Sequence, residues 1–425
     1  MALVPTDDIQ NPLQHPRSPH PTARDLTSDT DLRDRDLVLR INDLRRIDNT
    51  SSWRYLALEY VYLGSVLAAA LWCWNAWFDG ELSGAALGMV LFATVVLVGI
   101  GQHRLVMLGH EASHYALFGK PWLNDLVSDL LCFFPIWITT YNYRLQHMVH
   151  HQYTNDPERD PNQAYMQACN LEFCRNLTTW RLLKDCALQP FMTLPTQLRT
   201  MNWRARLANF GTRLKPYTVL KRTTVLVRLL YALTLVGCVG GLILCSLQRQ
   251  FAGLWIVAAV SIGLMAVITP FLNNEWFSAT GIKPIIPARW SALQRFAFFV
   301  LQGTALTWLT LTTGRPWPLY YLLLWIVPLF TTFAWLMSLR DDIQHGGLGR
   351  SKLRNSREFR GSWFVKWAVF PWAVDYHLGH HLFPMVPHYK LPELDRLLLT
   401  LPAYRNERIM AGPTTLTDIQ VPCVE

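Results

Sequence analysis

The chain has 425 residues, 51% of them hydrophobic, with 18 tryptophans and a formal net charge of +9. That composition, with a positive mean hydropathy, argues against an ordinary soluble domain and against a wholly disordered chain. Eight cysteines without a single CxxC pair argue against a disulfide framework and a thiolate metal site.

Residues 1–32 open the chain as a Pro-, Asp-, Thr- and Ser-rich stretch that reads as a disordered cytosolic tail, with His15 and His20 solvated. No secretory signal precedes the first apolar run. Residues 33–48 alternate charge with Leu and Ile, the pattern of a helix lying on a membrane interface. Long apolar runs follow at 55–78 (Glu59 the one charge), 83–101, 223–247 (Arg228 the one charge), 251–272 and 318–339. About twenty apolar residues match a ~30 Å hydrocarbon core. The 296–313 run is the weakest, rich in Thr and interrupted by Gly303. Residues 33–400 form the membrane domain and 401–425 a C-terminal tail.

The connections 79–82, 248–250 and 314–317 carry few basic residues, whereas 102–222, 273–295 and 340–425 carry many. Placing the basic segments inside satisfies the positive-inside bias with six crossings in three hairpins and both termini in the cytosol. Four crossings remain open if one of the 223–272 or 296–339 pairs does not span. The excess of Lys and Arg (39) over Asp and Glu (30) then faces anionic lipid headgroups and not nucleic acid. The segment 122–138 is too short and polar to span and reads as an interfacial helix. The stretch 273–284 is a connection between hairpins.

Nine of the thirteen histidines stand out against this background: His110 and His114 in GHEASH, His147, His150 and His151 in HMVHH, His377, His380 and His381 in HLGHH, and His345 in QHGG. Spacings of three and four put imidazoles on one helical face. Imidazole is the commonest side-chain ligand of transition metals, and this number exceeds what one four-coordinate ion uses, so two ions are expected. A second crossing unbroken from Ser83 to His114 is ~48 Å long and carries its histidines roughly 15–20 Å beyond the bilayer core. The sixth, continued past Leu339, brings His345 to a similar height. The fold expected is an all-α polytopic membrane protein whose cytosolic helical cap holds a di-metal site.

An all-nitrogen site with open positions suits iron that binds dioxygen. Carboxylates that would orient the imidazoles are Glu111, Asp156, Asp160, Asp341, Asp342 and Asp375, with Asp156 and Asp375, hard against the clusters, the best placed. His103 reads as a locally bonded helix residue and His388 as structural. A rival reading takes HEASH at 110–114 as the HExxH of an intramembrane zinc protease, which would leave two HxxHH clusters without a role.

The ordered set HxxxH, HxxHH and HxxHH between membrane hairpins resembles the membrane-bound fatty acid desaturase and hydroxylase superfamily over roughly residues 50–400. The flanks GHEASHYALFGKPWLND, YRLQHMVHHQYTNDPERDP and YHLGHHLFPMVPHYKLPEL resemble its bacterial acyl desaturases. The resemblance implies a non-haem di-iron centre held by His110, His114, His147, His150, His151, His377, His380 and His381, with His345 as a further ligand. It implies dioxygen as co-substrate, two electrons per turnover and a fatty acyl substrate (free acid, thioester or lipid-linked), in a protein of a bacterial inner membrane. Related enzymes often carry EHGG where this chain has Gln344, which touches the surroundings of His345 and not the ligand. The gap from His151 to His345 has room for one hairpin more than the simplest members need. Hydroxylation and terminal-alkene formation by decarboxylation share the ligand set; the FPMVPHYKLPEL tail favours desaturation. No haem-binding HPGG and no CxxC is present, so the electron donor is external, a ferredoxin or similar carrier on the basic face. Arg144, Arg175, Arg181, Arg204, Arg206 and Arg213 are candidates for that contact.

Overall fold

The computed structural model describes residues 32, 34–163, 222–277 and 283–411. Six of its helices are long and apolar enough to cross a bilayer: α2 (Asn49–Phe78), α3 (Gly84–Ser113), α6 (Arg222–Leu247), α7 (Phe251–Ile268, prolonged to Phe271), α8 (Ala288–Thr313) and α9 (Trp317–His345). The protein is therefore a polytopic helical membrane protein, and the Thr-rich 296–313 run lies inside α8. The first two starts have a local cause. Asp48 caps α2 by accepting from the Thr50 amide, and Ser83 caps α3 by accepting from Ala86. As the histidine spacing required, α3 runs unbroken to Ser113 with His114 as its C-cap.

The turns α2–α3 and α8–α9 meet at one end of the bundle, where Arg315 Nη2 lies 2.8 Å from Asp79 Oδ1. The histidine-bearing ends of α3 and α9 are at the other. Glu59, the lone charge in the first apolar run, is answered by Arg104 Nε of α3 at 2.8 Å, as a charge at membrane depth must be. The hairpin α6–α7 packs with α8 around Cys238, Leu242, Leu254, Ala258, Met265, Phe296 and Val300.

Two expectations change here. The segment 122–138 is helical, but of its residues only Trp122 and Leu130 are exposed. It comprises α4 (Pro121–Ser128), a π-helical turn (Asp129–Phe133) and a 3₁₀ turn (Phe134–Ile136), with Cys132, Phe133 and Phe134 fully buried. Tyr60 of α2 donates to the Leu131 carbonyl at 2.7 Å, and Trp325 of α9 donates to that of Pro135 at 2.8 Å. Both donors belong to spanning helices, so the segment dips among them. Irregular backbone is tolerated at such depth only when protein donors satisfy the carbonyls it frees. The amphipathic α1 (Arg35–Leu44) likewise turns its apolar face to protein: Leu37, Ile41 and Leu44 are buried with Leu378, Leu391, Leu394 and Leu398.

The cap that receives α1 contains α5 (Thr140–Gln152), β1 (Arg357–Phe359), α10 (Trp363–Ala368), α11 (His377–Leu382) and α12 (Leu391–Leu398). Residues 402–411, expected to open a tail, instead form α13 (Pro402–Glu407) and β2 (Ile409–Ala411). Strand β2 pairs in parallel with β1, Glu358 opposite Met410. Tyr404, fully buried, sets its single hydroxyl within hydrogen-bond reach of both Glu358 and Asp395, so these residues help to close the core.

Candidate metal centre

Helix α3 delivers His110 and His114, α5 delivers His147, His150 and His151, α9 ends on His345, and α11 supplies His377, His380 and His381. All nine converge, in two groups. One comprises His110, His114, His147, His151 and His380, and the other His150, His345 and His381; within each group one nitrogen per residue lies within 4.8 Å of the rest. His377 belongs with the second, its Nε2 2.8 Å from that of His345 and 3.1 Å from that of His381. The groups adjoin: the His151 and His381 rings stack at 4.1 Å.

These residues fit metal ions. The Nε2 atoms of His110, His114 and His380 are buried and have no hydrogen-bond partner among the described residues, which would be costly unless something else met their lone pairs. The Nε2 pairs His147–His151 (2.9 Å) and His150–His345 (3.2 Å) match the ~3.0 Å edge of a polyhedron whose metal–nitrogen bonds are ~2.1 Å and at right angles. Burial, reinforced by neighbouring imidazoles, holds His147, His151, His377, His380 and His381 well below the ordinary histidine range. They are neutral, the form that binds metal. Burial pulls His150 down as well, but the Asp160 carboxylate outweighs it and leaves His150 above that range.

The groups behind the imidazoles fix which nitrogen faces inward. His150 Nδ1 is 3.0 Å from Asp160 Oδ1, His345 Nδ1 3.1 Å from the Asn355 carbonyl, and His381 Nδ1 3.3 Å from Thr154 Oγ1. Glu111 sits behind His110, with Oε1 3.7 Å from its Nδ1. The same carboxylate accepts from the His388 amide at 2.9 Å, which ties it away from the general-base role an HExxH protease assigns it. The two best-placed carboxylates of the sequence reading make other contacts. Asp156 pairs with Arg159 and Arg350, and Asp375 with Lys366, leaving Asp160 as the carboxylate on His150. Asp341 pairs with Arg340. Gln344 donates to the Val374 carbonyl, and the support of His345 comes from Asn355. His103, two turns before His110, approaches the Ala368 carbonyl at 3.2 Å and stays out of both groups.

Arg144 corrects another expectation. It is no surface docking residue but a fully buried one, and it donates to the Ala112 and Ser113 carbonyls at the end of α3 while pairing with Asp125. Carbonyls at a helix C-terminus lack the usual i+4 amide; Asn124 and the Tyr115 amide also reach that of Ala112, and the planar guanidinium reaches both carbonyls and the carboxylate together. Arg357 does the same for α9, donating to the Ile343 and Gly346 carbonyls beside His345. Nothing in the spacing of the sequence marks either arginine. Arg175, Arg181, Arg204, Arg206 and Arg213 lie outside the described residues.

Comparison with known proteins agrees with this geometry. The family described as fatty acid desaturase matches residues 85–277 and 264–411. The chain is 27% identical over 135 residues to the dihydrorhizobitoxine desaturase of Bradyrhizobium elkanii, covering 32% of this chain and 34% of that protein. It is 22% identical over 347 residues to a chloroplastic omega-3 fatty acid desaturase of Glycine max, covering 81% of this chain and 60% of the relative. An endoplasmic reticulum omega-3 fatty acid desaturase of Vigna radiata var. radiata is 22% identical over 362 residues, 84% of this chain and 74% of its own length. Between them the two family matches span every histidine of the two groups and most of the sequence, and the chain belongs to the fatty acid desaturase family.

Proposed function

We propose that the protein is a membrane-bound, non-haem di-iron acyl-chain desaturase, active at the cytosolic face of a bacterial inner membrane with both termini on that side. The observation that carries the reading is the division of nine imidazoles into adjoining groups of five and four, each with buried, neutral nitrogens aimed inward. Two irons held there would supply dioxygen activation strong enough to take hydrogen from an unactivated methylene. Overall, R–CH2–CH2–R′ + O2 + 2H⁺ + 2e⁻ gives R–CH=CH–R′ + 2H2O: the substrate supplies two electrons and an external one-electron carrier, a ferredoxin or similar protein, supplies two.

The chain's own residues bind, orient and exclude water. Asp160, Asn355 and Thr154 hold three imidazoles by Nδ1, so their Nε2 atoms are fixed before any ion arrives. Tyr143 covers the first group, its ring 5.4 Å from that of His147 and 5.0 Å from that of Phe133. Aromatic rings packed there would help to exclude water from the first group.

The test is twofold. Protein purified in detergent should carry about two irons per chain, whereas one zinc would return the chain to the protease reading. Cells expressing it should gain acyl chains with a new double bond on gas chromatography. New hydroxylated chains without new double bonds would assign the sister reaction that the same ligand set supports.

A further inference from the structure

The glutamate of HEASH and the histidine of VPHYK are left without a part in the reaction, yet the fold brings them together across a separation of 277 residues. His388 is buried, its amide donates to Glu111 Oε2 at 2.9 Å, and its Nδ1 lies 3.5 Å from the same oxygen. The other oxygen, Oε1, is 3.7 Å from Nδ1 of His110. Glu111, itself buried, thus lies between two imidazoles, one of them among the five inward-facing ligands. His388 is fixed in turn by aromatic rings, with Tyr55 at 4.8 Å, Tyr389 at 5.3 Å and Trp372 at 5.9 Å.

We infer that His388 is a positioning residue for the five-histidine group: it holds the Glu111 carboxylate against Nδ1 of His110, and so fixes the orientation of that imidazole and its strength as a donor. The backbone amide of His388 tethers Oε2 whatever side chain stands there, and the imidazole Nδ1 adds a second contact on that oxygen that restrains the carboxylate from rotating. A carboxylate held from behind keeps its oxygen on the ligand and makes the imidazole a better donor. The arrangement has a counterpart in the second group, where Asp160 stands behind His150 and is held by the Asn155 and Asn162 amides at 2.9 Å each. Each group is thereby given one carboxylate-backed histidine, by separate devices, so the two should fail independently.

The inference rests on the two-ion reading above, and the experiment separates the two. The iron-loaded protein is challenged with a chelator and the release of each equivalent is timed. His388→Leu fills the aromatic box without a donor, His388→Asn restores an N–H near the Nδ1 position, and Asp160→Asn disturbs the other group. For His388→Leu, one of two irons should leave roughly 10-fold or more faster while the second keeps the parent rate, in line with the usual effect of losing an outer partner. His388→Asn should return to the parent rate, and the His388→Leu/Asp160→Asn double variant should release both irons fast. A merely packing role reverses the first two variants, with Leu tolerated and Asn not, and that order would overturn the inference. So would a double variant no faster than Asp160→Asn alone. A parent protein that holds fewer than two irons defeats the two-ion reading instead.

Discussion

The HxxHH spacing distributes imidazoles between the two groups because of its helical phase. At about 100° per residue, positions i and i+4 share a face while i+3 points about 100° away from i+4. In α5 the i, i+4 pair His147 and His151 joins the first group and His150 the second; in α11 the pair His377 and His381 joins the second and His380 the first. Opposite use of one motif, with His110 and His114 added on one side and His345 on the other, accounts for five and four. Replacing His150 by Ala should therefore lower iron from about two to about one per chain by elemental analysis; loss of both ions would mean that the groups are not separable. Protonation acts on the same nitrogens. Five of these histidines have folded-state pKa values below the ordinary ~6.5, so the unfolded chain binds more protons as pH falls through that value. Their contribution to stability is present above pH ~6.5 and is lost on acidification, whereas His150, raised by Asp160, contributes below ~6.5 and loses that contribution as pH rises. Five outweigh one. The thermal midpoint of metal-free protein should fall between pH 7.5 and pH 5.5, and an unchanged or higher midpoint would contradict these environments. The histidines that converge were legible in the sequence because their spacing is local. Their supports were legible only as candidates: Glu111 and Asp160 stood among six carboxylates, and nothing in the spacing ranked Asp160 above Asp156 or showed that Glu111 meets a residue 277 positions away.

At the scale of elements, the site depends on two long helices ending at the right height and on what terminates them. The C-terminal carbonyls of α3 and α9 are met by Arg144 and Arg357, both fully buried, so each ligand-bearing end is locked by a guanidinium from a neighbouring segment. A cation at a helix C-terminus also opposes the helix dipole. Arg144→Met would strand Asp125 as an uncompensated buried carboxylate beside the α3 end. A loss of about 3–5 kcal/mol is expected, seen as a lowered unfolding midpoint in detergent together with reduced iron. Close packing sets the other limit. A Cβ at Gly109 would run into the Phe133 ring of the inserted segment, one residue before His110. Gly109→Ala should cost about 1–3 kcal/mol by overpacking and displace His110, so its iron content should fall further than its thermal stability alone suggests. The reach of α3 could be read from an apolar run followed by HxxxH. The inserted segment could not: it is too short to span and is broken by Asn124, Asp125 and Asp129, and its free carbonyls are met by Tyr60 and Trp325 from distant parts of the chain.

For the whole molecule, what fixes the topology is the side on which each turn lies. The hairpin α6–α7 shows bare apolar surface, with Leu247, Val236 and Val267 each at least 66% exposed, as lipid contact requires. Charge asymmetry between loops puts its turn opposite the histidine groups, on the side of the Asp79–Arg315 contact. Length and apolarity alone, which identify the helices, do not distinguish a crossing from a hairpin laid against the bundle. Single cysteines in a cysteine-free background separate the two, placed at the exposed positions Glu81, Gln248 and Ser351. In intact cells a membrane-impermeant thiol reagent should label the variants at 81 and 248 and leave the one at 351 unlabelled until the membrane is opened. If 248 behaves as 351 does, α6 and α7 do not cross, and four crossings carry the site. If 81 and 351 react alike, the bare and basic ends share a side, and the convergence of α3 and α9 at one face of a bilayer has to be abandoned.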